Sequence, residues 1–202
     1  MQTKVRAIKE VGDVEVDLKS TEDGILETMG VQRVWTAKGY GWSAMATAAV
    51  ASLIVRPTTT AIATLHNNTS KNFVIERVFA HNLVSIANGQ FGIWLCVHPI
   101  GQTAPGNDIT VRNSSSGLAA GTEGIFDNGA TVADDGWFPW GESNYSVTAT
   151  VPGSLAQALV EGRIIIPPTA GLSVSCVGQT AAVTVCVGIH WYSVPVSEFA
   201  RS

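Results

Sequence analysis

Residues 134–144 read DDGWFPWGESN, the densest gathering of chemically able side chains in this 202-residue chain. The adjacent carboxylates Asp134 and Asp135 could ligate calcium or work as an acid and a base. A calcium loop needs about six to eight oxygen ligands. The remaining acceptors are missing here, so the pair reads as a solvated turn in a glycine-rich loop. Trp137, Phe138 and Trp140 offer ring faces for a sugar, with Asp134, Asp135, Glu142 and Asn144 placed to accept hydroxyl protons. The same rings suit a loop anchor or a subunit contact, because aromatic residues dominate such contacts. Anchoring or contact is the expectation, and a host glycan the alternative.

Other chemistry is sparse. His66, His81, His98 and His190 show no paired-histidine spacing and the cysteines no paired-cysteine spacing, so no metal site is expected and each histidine reads as a strand-face or turn residue. No nucleophile elbow, phosphate-binding glycine loop or dinucleotide fingerprint occurs, so no catalytic residue and no cofactor is assigned. The sequences beginning at Asn67, Asn113 and Asn144 match the glycosylation pattern. With no secretory signal visible at the start, they read as turn chemistry in a protein made in the cytoplasm. Cys96, Cys176 and Cys186 are expected to be free, partly buried thiols.

Composition narrows the class. Charged residues make up 14% of the chain against about 25% in ordinary globular proteins, while 46% are hydrophobic. So little charge implies a surface covered in part by other subunits. The net charge of −4 gives no sign of a nucleic-acid partner. Charge concentrates early: Lys4, Arg6, Lys9, Lys19, Arg33 and Lys38 stand with Glu10, Asp13, Glu15, Asp17, Glu22, Asp23 and Glu27. The expected organisation is a charged N-terminal arm, 1–38, before a globular body, 39–202. The alternating Val14, Val16 and Leu18 equally suit a first edge strand of that body. The charge-free run GYGWSAMATAAVASLIV is shorter than the roughly 20 apolar residues of a bilayer span, so no membrane partner is expected.

The elements that must position these residues are strands. Alternation predicts strands over 61–66, 73–79, 90–98, 109–113, 145–151 and 164–166, with Phe73, Ile75, Arg77 and Phe79 on one face of the second. Residues 154–160 are the one helical candidate, capped by Ser154. Near the C-terminus, Leu172, Val174 and Cys176 alternate with serines, and Val183, Val185, Val187, Ile189 and Trp191 alternate with smaller or polar partners. The two runs predict a closing β-hairpin turning at Gln179 and Thr180, with Cys176 and Cys186 on different faces. Many short strands with polar turns give an all-β fold, a single jelly-roll-like antiparallel β-sandwich behind an extended N-terminal arm.

The segment EGRIIIPPTAGLSVSCVGQTAAVTVCVGIHWYSVP, with ATLHNNTSKNFVIERVFAHN and FGIWLCVHP upstream, resembles the small jelly-roll virion proteins of tailed bacteriophages that decorate or cement the capsid or form head fibres. The resemblance spans about 57–196. It implies a non-enzymatic protein on the capsid exterior, commonly a homotrimer, that binds the major capsid protein at local symmetry axes. The arm would order on the shell, and Trp42, Arg163, Trp191 and Tyr192 would be candidate subunit contacts. A major coat protein is disfavoured because the arm is not basic. A glycan-binding fibre domain and a carbohydrate hydrolase or lyase complete the alternatives.

Overall fold

The computed structural model describes residues 6–8, 15–17, 30–84, 89–106, 108–119, 122–129, 131–132, 134–140, 144–146, 155–178 and 182–198. The chain divides into two compact units, Met1–Val34 and Trp35–Ser202. In the first, β1 (Arg6–Ile8) and β2 (Glu15–Asp17) form a two-stranded antiparallel sheet with Arg6 opposite Asp17. Val16 therefore pairs within that small sheet, opposite Ala7. Helix α1 (Val31–Ala37) follows. It ends at Gly39, whose φ of 77° suits glycine. The Gly39 and Tyr40 amides donate back to the Thr36 and Trp35 carbonyls, a Schellman closure.

The second unit is two antiparallel sheets. Its strands are β3 (Gly41–Met45), β4 (Val50–Ala51), β5 (Ala63–His66), β6 (Asn72–Val84), β7 (Gly89–His98), β8 (Arg112–Asn113), β9 (Ile125–Asn128), β10 (Phe138–Pro139), β11 (Asn144–Ser146), β12 (Leu155–Ile166), β13 (Gly171–Gly178) and β14 (Thr184–Val194). One sheet runs β12-β6-β14-β3-β8, with β4 also on β14; the other runs β10-β7-β13-β5-β9, with β11 also on β7. Pairing among the main strands is nested: β3 lies beside β14, β5 beside β13, β6 beside β12, and β7 beside β10 and β11. The fold is an all-β sandwich. Its core holds Leu65, Phe73, Ile75, Phe91, Ile93, Leu95, Phe126, Ile166, Leu172, Val174, Ile189 and Trp191, drawn from both sheets.

Four expectations need correction. The closing hairpin does not form, because β13 pairs with β5 and β7 while β14 pairs with β3, β4 and β6 in the other sheet. Alternation itself holds: Leu172, Val174 and Cys176 face the core, as do Val183, Val185, Val187, Ile189 and Trp191. The residues named for the turn, 179 and 180, lie outside the described residues. Second, the helical candidate is strand β12, in which Ala156, Ala158 and Val160 point inward at every second position. Third, β6 slips register at Glu76, since Trp191 opposes Ile75 while His190 opposes Arg77. That bulge moves Phe73 and Ile75 to the same core as Val78 and Ala80, leaving Arg77 and Phe79 off it. Fourth, the brief strand at 164–166 is the end of the longer β12; of the expected 145–151 strand, 145 and 146 do lie in β11 and the rest fall outside the described residues.

Candidate functional site

Strand β12 is an edge strand, paired to β6 and to no other strand among the described residues. Between Leu159 and Ile164 its register breaks, with Glu161 and Gly162 at φ of 52° and 76°. Arg163 folds back over this bulge, donating from Nε to the Val160 carbonyl (3.0 Å) and from Nη2 to the Leu159 carbonyl (2.7 Å). Its guanidinium lies 5.5 Å from the Trp140 ring centroid. Trp140 in turn meets Phe138 at 5.5 Å, donates weakly from Nε1 to the Leu159 carbonyl, and donates from its amide to the Ile93 carbonyl in the opposite sheet. Leu159 and Ile165 are 54% and 43% exposed on the same strand. Arg163, Trp140 and Phe138 thus gather around the bulge where the two sheets meet, residue types that protein interfaces favour, while Leu159 and Ile165 stand exposed on the outward face of β12.

Three of the residues singled out in the sequence, Phe138, Trp140 and Arg163, thus converge. The ion-pair partner of Arg163 is Glu161 of its own strand at 3.6 Å, both well exposed, so the pair adds little stability. Trp137 does not join them. It is 3% exposed and donates from Nε1 to the Thr58 carbonyl at 2.8 Å, so it has no face for a sugar. Trp191 is likewise no subunit contact, being 1% exposed beside Phe73. Trp42 and Tyr192 are part-buried and, with Arg77, Leu159 and His190, line an open groove of about 380 Å³. Tyr192 also carries the Trp35 ring at 5.4 Å. Phe79 lies against His190 (5.5 Å between centroids) and under the Arg77 guanidinium (5.5 Å). Burial and the Arg77 charge hold the His190 pKa below its ordinary value.

A second group lies on the face of β7 away from the core. Cys96 and His98, two residues apart, share that face with Ser173 and Thr64 of the neighbouring strands. Residues Ala61, Val132 and Trp137 cover it, packing on Cys96 as a small satellite core flanked by Trp94. His98 Nε2 is 2.7 Å from Ser173 Oγ, and that hydroxyl is 2.8 Å from Thr64 Oγ1. His98 Nδ1 is 3.5 Å from Asp134 Oδ2 and 4.0 Å from Cys96 Sγ. Asp134 also accepts the Gly136 amide on Oδ1 at 2.9 Å, the turn role expected for it. Burial lowers the His98 pKa, against the pull of Asp134. Burial, reinforced by the Asp134 charge, pushes the Cys96 thiol up to about 11.

An aspartate–histidine–serine line suggests acyl transfer, but Ser173 is completely buried and its hydroxyl already engaged. A nucleophile must meet its substrate. No pair of like ligands, two histidines or two cysteines at close spacing, marks this cluster in the sequence. The available signal was the mixed Cys-x-His spacing, which puts both ligating atoms on one face of a strand.

Asn67 and Asn113 serve turns. Asn67 donates to the Lys71 and Ile166 carbonyls and accepts from the Thr69 amide and hydroxyl. Asn113 donates to the Gly39 carbonyl and accepts from the Ser115 and Ser116 amides. All three cysteines are buried thiols. Among the described residues no helix is long and apolar enough to cross a membrane. The chain matches no protein-family model and no curated protein sequence.

Proposed function

We propose that this protein is a non-enzymatic jelly-roll component of a phage particle, a homotrimer that binds the major capsid protein on the shell exterior as a cement or decoration subunit. The observation that carries the reading is the nested pairing of the main strands, first with last and second with next to last. A long antiparallel ribbon wrapped into two sheets produces that order, and wrapped ribbons of this kind are jelly rolls. The gathering of Phe138, Trp140 and Arg163, with Leu159 and Ile165 exposed on the adjoining strand, supports subunit contact. These residues lie along a strand edge that no other strand pairs among the described residues. The glycan-binding alternative loses Trp137, the first of its three rings, to the interior.

Light scattering on the full chain tests the trimer, and co-sedimentation with shells of the cognate major capsid protein tests the attachment. The expected result is a trimer that the double variant Leu159→Glu, Ile165→Glu converts to a folded monomer. A wild-type monomer at micromolar concentration, or wild-type protein that stays in the supernatant at saturating shells, refutes the reading.

A further inference from the structure

We propose that Cys96, His98 and Asp134 form a zinc site with three protein ligands, which pins the 134–140 loop onto strand β7. The Sγ, imidazole nitrogen and carboxylate oxygen all lie within 4.8 Å of one another. Zinc bonds of about 2.0–2.3 Å in tetrahedral geometry ask for ligand atoms roughly 3.3–3.8 Å apart. His98 and Asp134, at 3.5 Å, already satisfy that separation, and Cys96 at 4.0 Å from His98 needs a small inward turn.

The surroundings orient each ligand. Ser173 Oγ, 2.8 Å from Thr64 Oγ1, lies 2.7 Å from His98 Nε2; in the tautomer with hydrogen on Nε2 it accepts that hydrogen and the Nδ1 lone pair points to Cys96 and Asp134. Metal-bound histidines are held this way, by a partner on the nitrogen that does not touch the metal. The Gly136 amide takes Asp134 Oδ1, which leaves Oδ2 for the metal. A side chain at position 136 would come within 3.2 Å of that same oxygen and 3.8 Å of Cys96 Sγ, so the glycine lets the loop close over the cluster.

Charge and access agree with this assignment. One thiolate and one carboxylate neutralise a divalent cation, the cheapest charge state for a site walled by Ala61, Val132, Trp94 and Trp137. Sulfur and imidazole select zinc over calcium or magnesium, which prefer oxygen alone. Cys96 and His98 are sealed, whereas the Asp134 side chain is 30% exposed. That exposed side is the entry path, and a solvent water would complete the fourth position.

The test uses the full chain, stripped with a chelator and titrated with Zn2+ or Co2+. We expect one metal per chain, and in the cobalt form a thiolate charge-transfer band with the strong visible bands of tetrahedral cobalt. Cys96→Ser should abolish the charge-transfer band and weaken zinc binding by about 100-fold or more. Asp134→Asn, on a part-exposed loop and so the variant more certain to fold, should weaken it by at least about 10-fold. Zinc should also slow proteolysis within the loop of the wild type but not of Asp134→Asn. Absence of the cobalt–thiolate band in the wild type, or wild-type affinity in both variants, overturns the site. Binding without loop protection overturns the pinning role.

Discussion

Gly188 faces the Phe79 ring so closely that one methyl group should reverse its tolerance. A Cβ built there would sit 2.2 Å from Phe79 Cζ, with two more ring atoms at 2.7 and 2.8 Å. The ring would have to retreat by about 1.5 Å to regain ordinary carbon–carbon separation. In retreating it would leave His190 and the Arg77 guanidinium, both now 5.5 Å away. Overpacking of this kind costs about 1–3 kcal/mol. The backbone offsets part of that, because Gly188 is not among the positive-φ glycines and alanine at a compatible position stabilises by about 0.4–1 kcal/mol. Gly188→Ala should therefore destabilise by about 1–2 kcal/mol, or roughly 2–8 °C in Tm for a chain of this size. In a Phe79→Ala background the clash disappears, and the same substitution should become neutral or stabilise by about 0.5 kcal/mol. Urea unfolding of the four proteins at one fixed concentration gives the coupling directly. Equal effects of Gly188→Ala in both backgrounds would refute the packing argument.

Two further outcomes follow from buried polar groups. Asn67→Asp keeps the acceptor that Thr69 uses but removes both amide donors, to the Lys71 and Ile166 carbonyls. The expected loss is about 2–4 kcal/mol in urea unfolding, and a loss below about 1 kcal/mol would show that water replaces the amide. His190 stays neutral in the folded protein at pH values where the unfolded chain protonates it, because its folded pKa is depressed. Stability is then complete above about pH 6.5 and falls as pH drops through that value, by at most about 1.4 kcal/mol per pH unit for this one proton. His98 contributes in the same direction. Glu76 and Asp127, whose pKa values are raised, act oppositely at lower pH. His190→Gln should flatten the urea midpoint between about pH 7 and 5.5, and an unchanged slope would remove His190 from the account.

Alternation exposed the strands but not their partners. A period of two says which residues share a face, and Leu172 to Cys176 and Val185 to Trp191 do face one core. It is silent on whether successive strands lie side by side or across the sandwich from each other. Strand β12 was obscured by its small inward residues, Ala156 and Ala158, whose weak strand preference resembles that of a helix. The bulges at Glu76 and Glu161 broke the pattern elsewhere. At the candidate sites, the 137–140 aromatics stood out by type alone. That Trp137 turns inward while Phe138 and Trp140 remain part-exposed depends on the loop crossing β7, which no local pattern records. Cys96 and His98 stand two apart in the sequence, but Asp134 reaches them only through that same crossing.

The place of β14 has a consequence for synthesis. The last strand of the sandwich lies at the centre of its sheet, between β6 and β3. Until it emerges from the ribosome, those two strands share no neighbour, and core residues from Phe73 to Ile166 lack Ile189 and Trp191 to close on. Closure of the sandwich must therefore wait for β14, and the long-range pairing that completes it is slow by nature. A chain cut short before Thr184 would present bare strand edges and an open core to the cell's chaperones and proteases. The topology thus acts as a check on the sandwich, since only a chain translated through β14 can close its two sheets on one core.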